Sequence, residues 1–389
     1  MIHLFDDLEP VRASSPHVID ALGEHLRAVQ ASREQGDAEQ VARAEQEVAA
    51  DPGALRFDSA GRATLVAAGR RYQAGRFEVL RLCELRARAA SQRAAAGRPS
   101  HRRRLWVFDG ASPATDIGAL QATAAPGSMF QVASQFNCLE SPGAFLSPVA
   151  SYFSDPTQGP RASISAFPAT LHRHYAAPAA GGGRFTQQAE GPQLDLLADV
   201  CDPGVAAVRN GYLRSTDIAD PLAFARILET RFESIAVGVH DEAEVVLGAD
   251  WLGGVEGAPH RTIAQVLTST VAGGMYGGVA DSSVGQIICR QLLRAAYLGT
   301  LLAAAALGKR RVVLTLIGGG VFANPLPIIW ESILWAADEV VHALHDDLTI
   351  LVNGRNLGLE LPLPELRAAA LLRGGELVRF DRRGATLGG

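Results

Sequence analysis

No disulfide framework can be read from this chain. Its four cysteines, Cys83, Cys138, Cys201 and Cys289, are widely spaced with no CxxC pair. That excludes a stapled secreted scaffold and a thiolate zinc site, and it points to a reducing compartment, the cytoplasm. Aromatic residues are scarce at 6%, while glycines number 40. This mix disfavours an all-β sandwich and suits an α/β protein with many glycine loops. Positive charge is short as well: a formal net charge of −5 leaves no basic excess for a broad nucleic-acid surface. The one basic cluster, Arg98, His101, Arg102, Arg103 and Arg104, reads as a solvated linker. The opening MIHLFDDLEP lacks a basic start followed by an apolar stretch, so no secretory signal is expected. Long hydrophobic runs are few. The best membrane candidate, residues 287–307, carries Arg290, Gln291 and Arg294, and a buried core helix explains it better than a membrane span.

What is present is bulk: 389 residues, 48% of them hydrophobic, enough for one large core and a smaller one. Residues 1–100 read as a helical N-terminal extension. Helical spacing runs through 18–29, 40–50 and 60–95, broken at Asp51–Pro52–Gly53. Residues 101–389 read as the domain that carries chemistry. Residues 129–134 form a short apolar strand, and 162–175 a short helix followed by a strand. Residues 178–191 form a loop. Two β-branched runs, 234–239 and 243–247, flank His240–Asp241–Glu242 as a hairpin or a bulged strand. The last third alternates helix 286–307, strand 311–317, loop 318–324, helix 326–343 and strand 348–352, the signature of a sheet built by crossovers.

Three motifs could carry chemistry. In LTLIGGGVFANP a buried strand delivers three glycines, whose missing side chains let backbone N–H groups approach a ligand. Asn324 suits a helix N-cap and Pro325 the first helical position, a setting that favours phosphate. There is no Walker A lysine and no GxGxxG order; without a ligand the same pattern is a tight strand-to-helix turn. In QVASQFNCLE, Gln135, Asn137 and Glu140 follow a strand where ribose hydroxyls or a base edge could be held; the alternative is amides capping a turn. In SDPTQGP, two prolines and a glycine stiffen a loop bearing Asp155, Thr157 and Gln158; the alternative is an Asx-turn. Weaker signals are His172 and His174, read as surface histidines rather than metal ligands, the polar turn around Asp241, and the glycine-rich loop 273–281 with Tyr276 and Asp281.

GGGVFANP resembles the phosphate loop of the macrodomain superfamily. Together with QFNCLE and DPTQGP it is similar to the MavL-type branch of ADP-ribosylhydrolases, which act on ADP-ribosylated arginine of ubiquitin. The resemblance spans residues 105–361. It implies a three-layer α/β/α sandwich with a mixed, largely parallel sheet. It implies ADP-ribose, or an ADP-ribosylated protein with ubiquitin among the candidates, as ligand, and no cofactor or metal. On this basis Gly318, Gly319, Gly320, Val321, Phe322 and Asn324 face the diphosphate, with Ala323 where glycine is common. Asn137 matches the asparagine that faces ribose, and Gln135, Glu140, Thr157 and Gln158 complete the binding set. The catalytic carboxylate is one of Asp155, Asp241 and Asp281, with Asp155 preferred. The expected activity is removal of ADP-ribose from an arginine side chain, in the cytoplasm or in a host cell receiving the chain as an effector. A non-catalytic ADP-ribose reader, or an enzyme acting on another phosphorylated nucleoside, is the alternative.

Overall fold

The computed structural model describes residues 37–96, 102–110, 115–125, 127–141, 145–155, 157–247, 261–278, 281–355, 357–381 and 384–387. The helix expected at 18–29, together with Arg98 and His101, lies outside them.

Apolar strands set the centre of the molecule. β1 (Leu55–Phe57), β2 (Ala63–Ala67), β3 (Arg70–Arg81), β4 (Arg103–Gly110) and β5 (Met129–Ala133) come from the first half of the described chain. After the short hairpin β6 (Ala177–Pro178) and β7 (Arg184–Phe185) come β8 (Ala236–Glu244), β9 (Thr262–Thr268), β10 (Arg311–Thr315), β11 (Leu348–Arg355), β12 (Leu377–Asp381) and β13 (Gly384–Leu387). Eleven of them form one sheet in the order β1-β2-β3-β8-β9-β5-β10-β11-β4-β12-β13. The run from β9 to β12 is parallel throughout, and both flanks are antiparallel. Central strands such as β10, RVVLT, are buried from Val312 to Thr315, as a parallel strand covered on both faces must be.

The helices are α1 (Asp37–Ala50), α2 (Leu82–Ala96), α3 (Ile117–Thr123), α4 (Gln158–Ser165), α5 (Phe167–Tyr175), α6 (Pro221–Thr230), α7 (Ser283–Ala306), α8 (Leu326–Glu339) and α9 (Leu363–Leu372). Alternation along β8 shows the layering. Val237 points to α7, where a Cβ on Gly299 would come within 2.6 Å of it. His240 points to the other face and packs edge-on against His172 of α5. The chain is thus a three-layer α/β/α protein. Helix α7 is N-capped by Ser282, whose side chain accepts the Gly285 N–H. It is long and apolar enough to span a membrane by length and composition, yet 78% of its most apolar window is buried inside the fold.

Several expectations are corrected. Residues 60–95 are not one helix: β2 and β3 precede α2, and β3 pairs with β8 in the main sheet. The alternation of burial in β2 is strand-like, and Gly69 and Gly75 take positive φ of 71° and 68°. Good helix formers are overridden here by tertiary pairing. Residues 162–175 hold two helices rather than a helix and a strand, because Phe167–Pro168 restarts a helix after Ala166. The basic linker is in part strand β4, with Arg103 paired to Asp338. The polar trio at 240–242 is a bulge in a single strand, one of the two forms expected. A second core joins Val41, Ala44 and Val48 of α1 to Leu65, Tyr72, Val149, Tyr152, Phe167 and Leu171.

Candidate functional site

The parallel strands β5, β9, β10 and β11 end on one edge of the sheet. A cavity of about 980 Å³ opens there, lined by Ser134 and Gln135 after β5, Ser269 and Thr270 after β9, Thr315 at the end of β10 and Leu316 to Phe322 after it, and Asn353 and Arg355 of β11. This is the place where open α/β sheets bind ligands. Tyr212, Tyr276 and the segments around Glu140 and Asp155 close its sides.

The glycine loop forms one wall. Gly318 has φ of 73°, and a Cβ there would lie 2.5 Å from Thr270 Cγ2 and 2.6 Å from Asn324 Nδ2, so only glycine fits. The loop is tied by Gly319 N–H to Leu316 O (3.0 Å), Ala323 N–H to Gly320 O (2.9 Å) and Asn324 N–H to Gly318 O (2.9 Å). Among the described residues the N–H groups of Gly318, Gly320, Val321 and Phe322 donate to no protein acceptor. Such a run of free amides favours an anion. A Cβ on Gly320 would meet nothing within 4 Å, which places open space directly above it.

Asn324 has a different role from the one expected. Its Nδ2–H donates to Val271 O (3.0 Å) and Gly318 O (3.3 Å), and its Oδ1 accepts from the Cys289 thiol at 2.7 Å. It does not line the cavity and does not cap α8, whose N-cap is Pro325. It staples the loop shut from behind. Asn137 is displaced likewise: fully buried, it accepts the Leu139 N–H (3.1 Å) and donates to Gln193 (3.0 Å), holding the turn rather than facing the cavity.

The opposite wall is acidic. Asp155 Oδ1 accepts the Thr157 N–H (2.8 Å) and hydroxyl (2.6 Å), an Asx-turn that also places Asp155, Thr157 and Gln158 on the cavity. Glu140 sits beside it. Burial pushes the Glu140 carboxyl well above the usual range, the Asp155 charge pushes the same way, and Arg173 partly opposes both. Gly159 permits this packing, since a Cβ there would lie 2.3 Å from Ala133 O and 2.6 Å from Glu140 Oε1. Five cavity residues each carry a buried side-chain oxygen with no partner among the described residues: Gln135 Oε1, Glu140 Oε1, Thr270 Oγ1, Thr315 Oγ1 and Asn353 Oδ1. Buried polar atoms are rarely left unpaired, so their convergence marks a polar ligand site.

Between the walls stand three rings. Tyr276 lies 5.2 Å from Tyr212 and 5.6 Å from Phe322, centroid to centroid. Gln135 Nε2 donates to Ser141 O (2.6 Å) and to the Tyr212 hydroxyl (3.1 Å), which itself donates to Ser141 O.

Thus Gln135, Glu140, Asp155, Thr157, Gln158 and Gly318 to Phe322 share one cavity, and Tyr276 joins them. Asp241 does not. It sits near the start of β9, at the amino-terminal edge of the parallel strands, paired with Lys309 at 2.7 Å. Asp281 is exposed just before α7 and lines no part of the cavity. His172 and His174 are buried, not on the surface, and burial lowers both to about 4. No group of residues suited to a metal ion occurs among the described residues. Sequence reasoning missed Tyr152, Tyr212, Thr270, Asn353 and Arg355. The last two had a signal, polar residues ending an apolar strand; Tyr212 and Tyr152 had none.

No protein-family model matches the chain, and no curated protein matches it in sequence. Among solved structures the chain is similar to poly(ADP-ribose) glycohydrolase from Thermomonospora curvata, at 17% identity and a TM-score of 0.40, covering 86% of this chain and 99% of that one. It is similar to poly(ADP-ribose) glycohydrolase from Deinococcus radiodurans in complex with ADP-ribose, at 14% identity and a TM-score of 0.38, covering 76% and 95%. It is similar also to a Trypanosoma brucei macrodomain in complex with ADP, at 11% identity and a TM-score of 0.30, covering 64% of each chain. Each is a distant likeness, and the chemistry of the cavity carries the functional reading.

Proposed function

We propose that this chain binds ADP-ribose and hydrolyses the bond between its distal ribose and a modified protein side chain, with arginine as the acceptor and ubiquitin among the carriers. The observation that carries this is the pairing, within one cavity, of a loop with free amides and a buried carboxyl, Glu140, whose Oε1 has no partner. The amides of Gly318, Gly320, Val321 and Phe322 suit a diphosphate. The Tyr276 and Phe322 rings, set edge to face, offer apolar surface for a sugar or base. The likeness of the motifs to the MavL-type branch of macrodomain hydrolases agrees with this reading.

In this scheme Glu140, whose hold on its proton is strengthened by burial and by Asp155, gives that proton to the departing guanidine nitrogen. The C1″–N bond breaks with its electron pair going to that nitrogen, and an oxocarbenium-like ribose develops. Asp155 accepts a proton from water as the water oxygen bonds to C1″. The products are free ADP-ribose and the unmodified side chain. A carboxyl that holds its proton, set beside a second carboxyl, is the usual basis of such a division of labour. In this scheme Asp155, the carboxylate preferred in the sequence, is the base, and Glu140 is the acid. The setting we propose is the cytoplasm, of the chain's own cell or of a host.

The test is incubation with an arginine-ADP-ribosylated protein, with free ADP-ribose measured by chromatography and its affinity by calorimetry. Release of ADP-ribose supports the hydrolase. Binding without release makes the chain a reader of ADP-ribose. Stronger thermal stabilisation by another nucleotide than by ADP-ribose overturns the ligand assignment.

A further inference from the structure

The N-terminal helix α1 lies far from the cavity in sequence, yet one of its side chains reaches the acidic wall. Glu45 is 5% exposed. Its Oε1 accepts the Val149 N–H at 2.7 Å and the Tyr175 hydroxyl at 3.1 Å, and its Oε2 accepts the Ala150 N–H at 3.0 Å. Val149 and Ala150 open a 3-10 turn, Val149–Ser154, whose own N-cap, Pro148, supplies no side-chain hydrogen bond. Glu45 therefore does from outside what a capping side chain normally does from within. The turn it caps presents Ser151, Tyr152 and Ser154 to the cavity and runs directly into Asp155, whose N–H donates to Tyr152 O at 3.2 Å. The Tyr152 hydroxyl in turn accepts the Glu140 N–H at 2.9 Å. One buried carboxylate on α1 is thereby linked, through a single turn, to both acidic residues of the site.

We propose that Glu45 is a positioning residue: it fixes the 149–155 turn so that Asp155 and Glu140 stay side by side, and α1 is accordingly a working part of the site rather than a detached extension. The turnover half of this inference rests on the hydrolase reading above; the structural half does not. Apolar contacts alone do not explain the arrangement. Val41, Ala44 and Val48 already pack α1 onto Val149 and Tyr152, and burying a carboxylate there costs free energy unless its hydrogen bonds are needed.

The experiment compares Glu45→Gln with Val48→Ala in the full chain. Val48→Ala loosens the same core without touching these hydrogen bonds. First, amide exchange is followed by mass spectrometry. Peptides covering residues 149–155 are expected to exchange about tenfold faster in Glu45→Gln, a loss of one charge-assisted hydrogen bond, and to stay near the parent rate in Val48→Ala. Second, kinetics are followed on the ADP-ribosylated protein. Glu45→Gln is expected to lower kcat about 10- to 100-fold, the scale of a misplaced catalytic group, with KM within about twofold, since the glycine loop is untouched. Its alkaline limb is expected to move to lower pH as Asp155 drifts from Glu140. Val48→Ala is expected to keep kcat and the limb at a lower Tm. Equal exchange at 149–155 in parent and Glu45→Gln would overturn the brace. Loss of kcat in both variants in step with Tm would reduce Glu45 to a stabilising residue. Should no ADP-ribosylated substrate turn over at all, the hydrolase reading falls, and the exchange result still decides the brace.

Discussion

The two walls of the cavity are built in opposite ways. The glycine wall comes from one unbroken segment, Leu316 to Asn324, that makes its own turn and closes it with its own hydrogen bonds, with Cys289, Val271 and Tyr297 bonded behind it. The acidic wall is assembled from three separate segments, at 135–140, 151–158 and Glu45, joined by hydrogen bonds across as many as 105 positions of sequence. A phosphate site needs backbone amides, which any short loop can supply. A carboxyl with raised proton affinity, as at Glu140, needs burial and a like charge nearby, which only packing can supply. The first wall is therefore suited to holding a ligand and the second to changing it, and substitutions in the two should separate binding from turnover.

The largest effect is expected from Glu140→Gln, which removes the proposed proton donor. Turnover should fall by about 10²–10⁴, the usual worth of a general acid, while calorimetry finds ADP-ribose affinity nearly unchanged. Asp241→Asn, at the far edge of the sheet, is the matched control and should leave turnover intact. The same Glu140 change should raise Tm at neutral pH. A carboxyl whose folded pKa is raised loses stability as pH climbs from the unfolded value toward the folded one, because the folded form resists ionisation there. A lower Tm in this variant would mean that Glu140 is held by structural bonds instead.

Gly320→Val should act in the reverse sense. Its side chain enters open space above the loop, so stability should change by no more than about 0.5 kcal/mol, as at ordinary surface positions. ADP-ribose affinity should drop by at least about tenfold, worth 1.4 kcal/mol. Unchanged affinity would break the assignment of the glycine wall to phosphate.

Asp155→Asn sharpens the comparison by charge. Asp155 is among the causes that raise Glu140, so its neutralisation lowers the Glu140 pKa. The alkaline limb of the pH–kcat profile should then move to lower pH, beside a loss of rate from the missing base. An unmoved limb would separate the two carboxyls electrostatically.

The smallest effect concerns Ala323, which holds φ of 46° in the glycine wall. Its Cβ costs about 1 kcal/mol in that left-handed region, so Ala323→Gly should raise stability by roughly that amount, measured by denaturant unfolding, with binding retained. A fall in stability would show the strain to be absent.

The sequence made the glycine wall legible because its chemistry is local: an apolar strand, three glycines and a following helix suffice to announce an amide-lined turn. It also announced the parallel order of the last third, where β10, α7, α8 and β11 follow the hydrophobic pattern closely. It misplaced Asn137 and Asn324, since a motif shows which residue stands at a position but not which way an amide turns. It could not show that residues 63–67 and 70–81 are strands, because the pairing of β3 with β8 joins positions more than 150 apart. Nor could it rank Glu140 over Asp241 and Asp281. A carboxyl becomes an acid at neutral pH through burial and neighbouring charge, and both are properties of the folded neighbourhood. The amino-acid order by itself determined a glycine turn with free amides at the end of a buried strand. Only the tertiary structure decided which carboxyls face that turn, because long-range packing, down to Glu45 on the first described helix, brings them there.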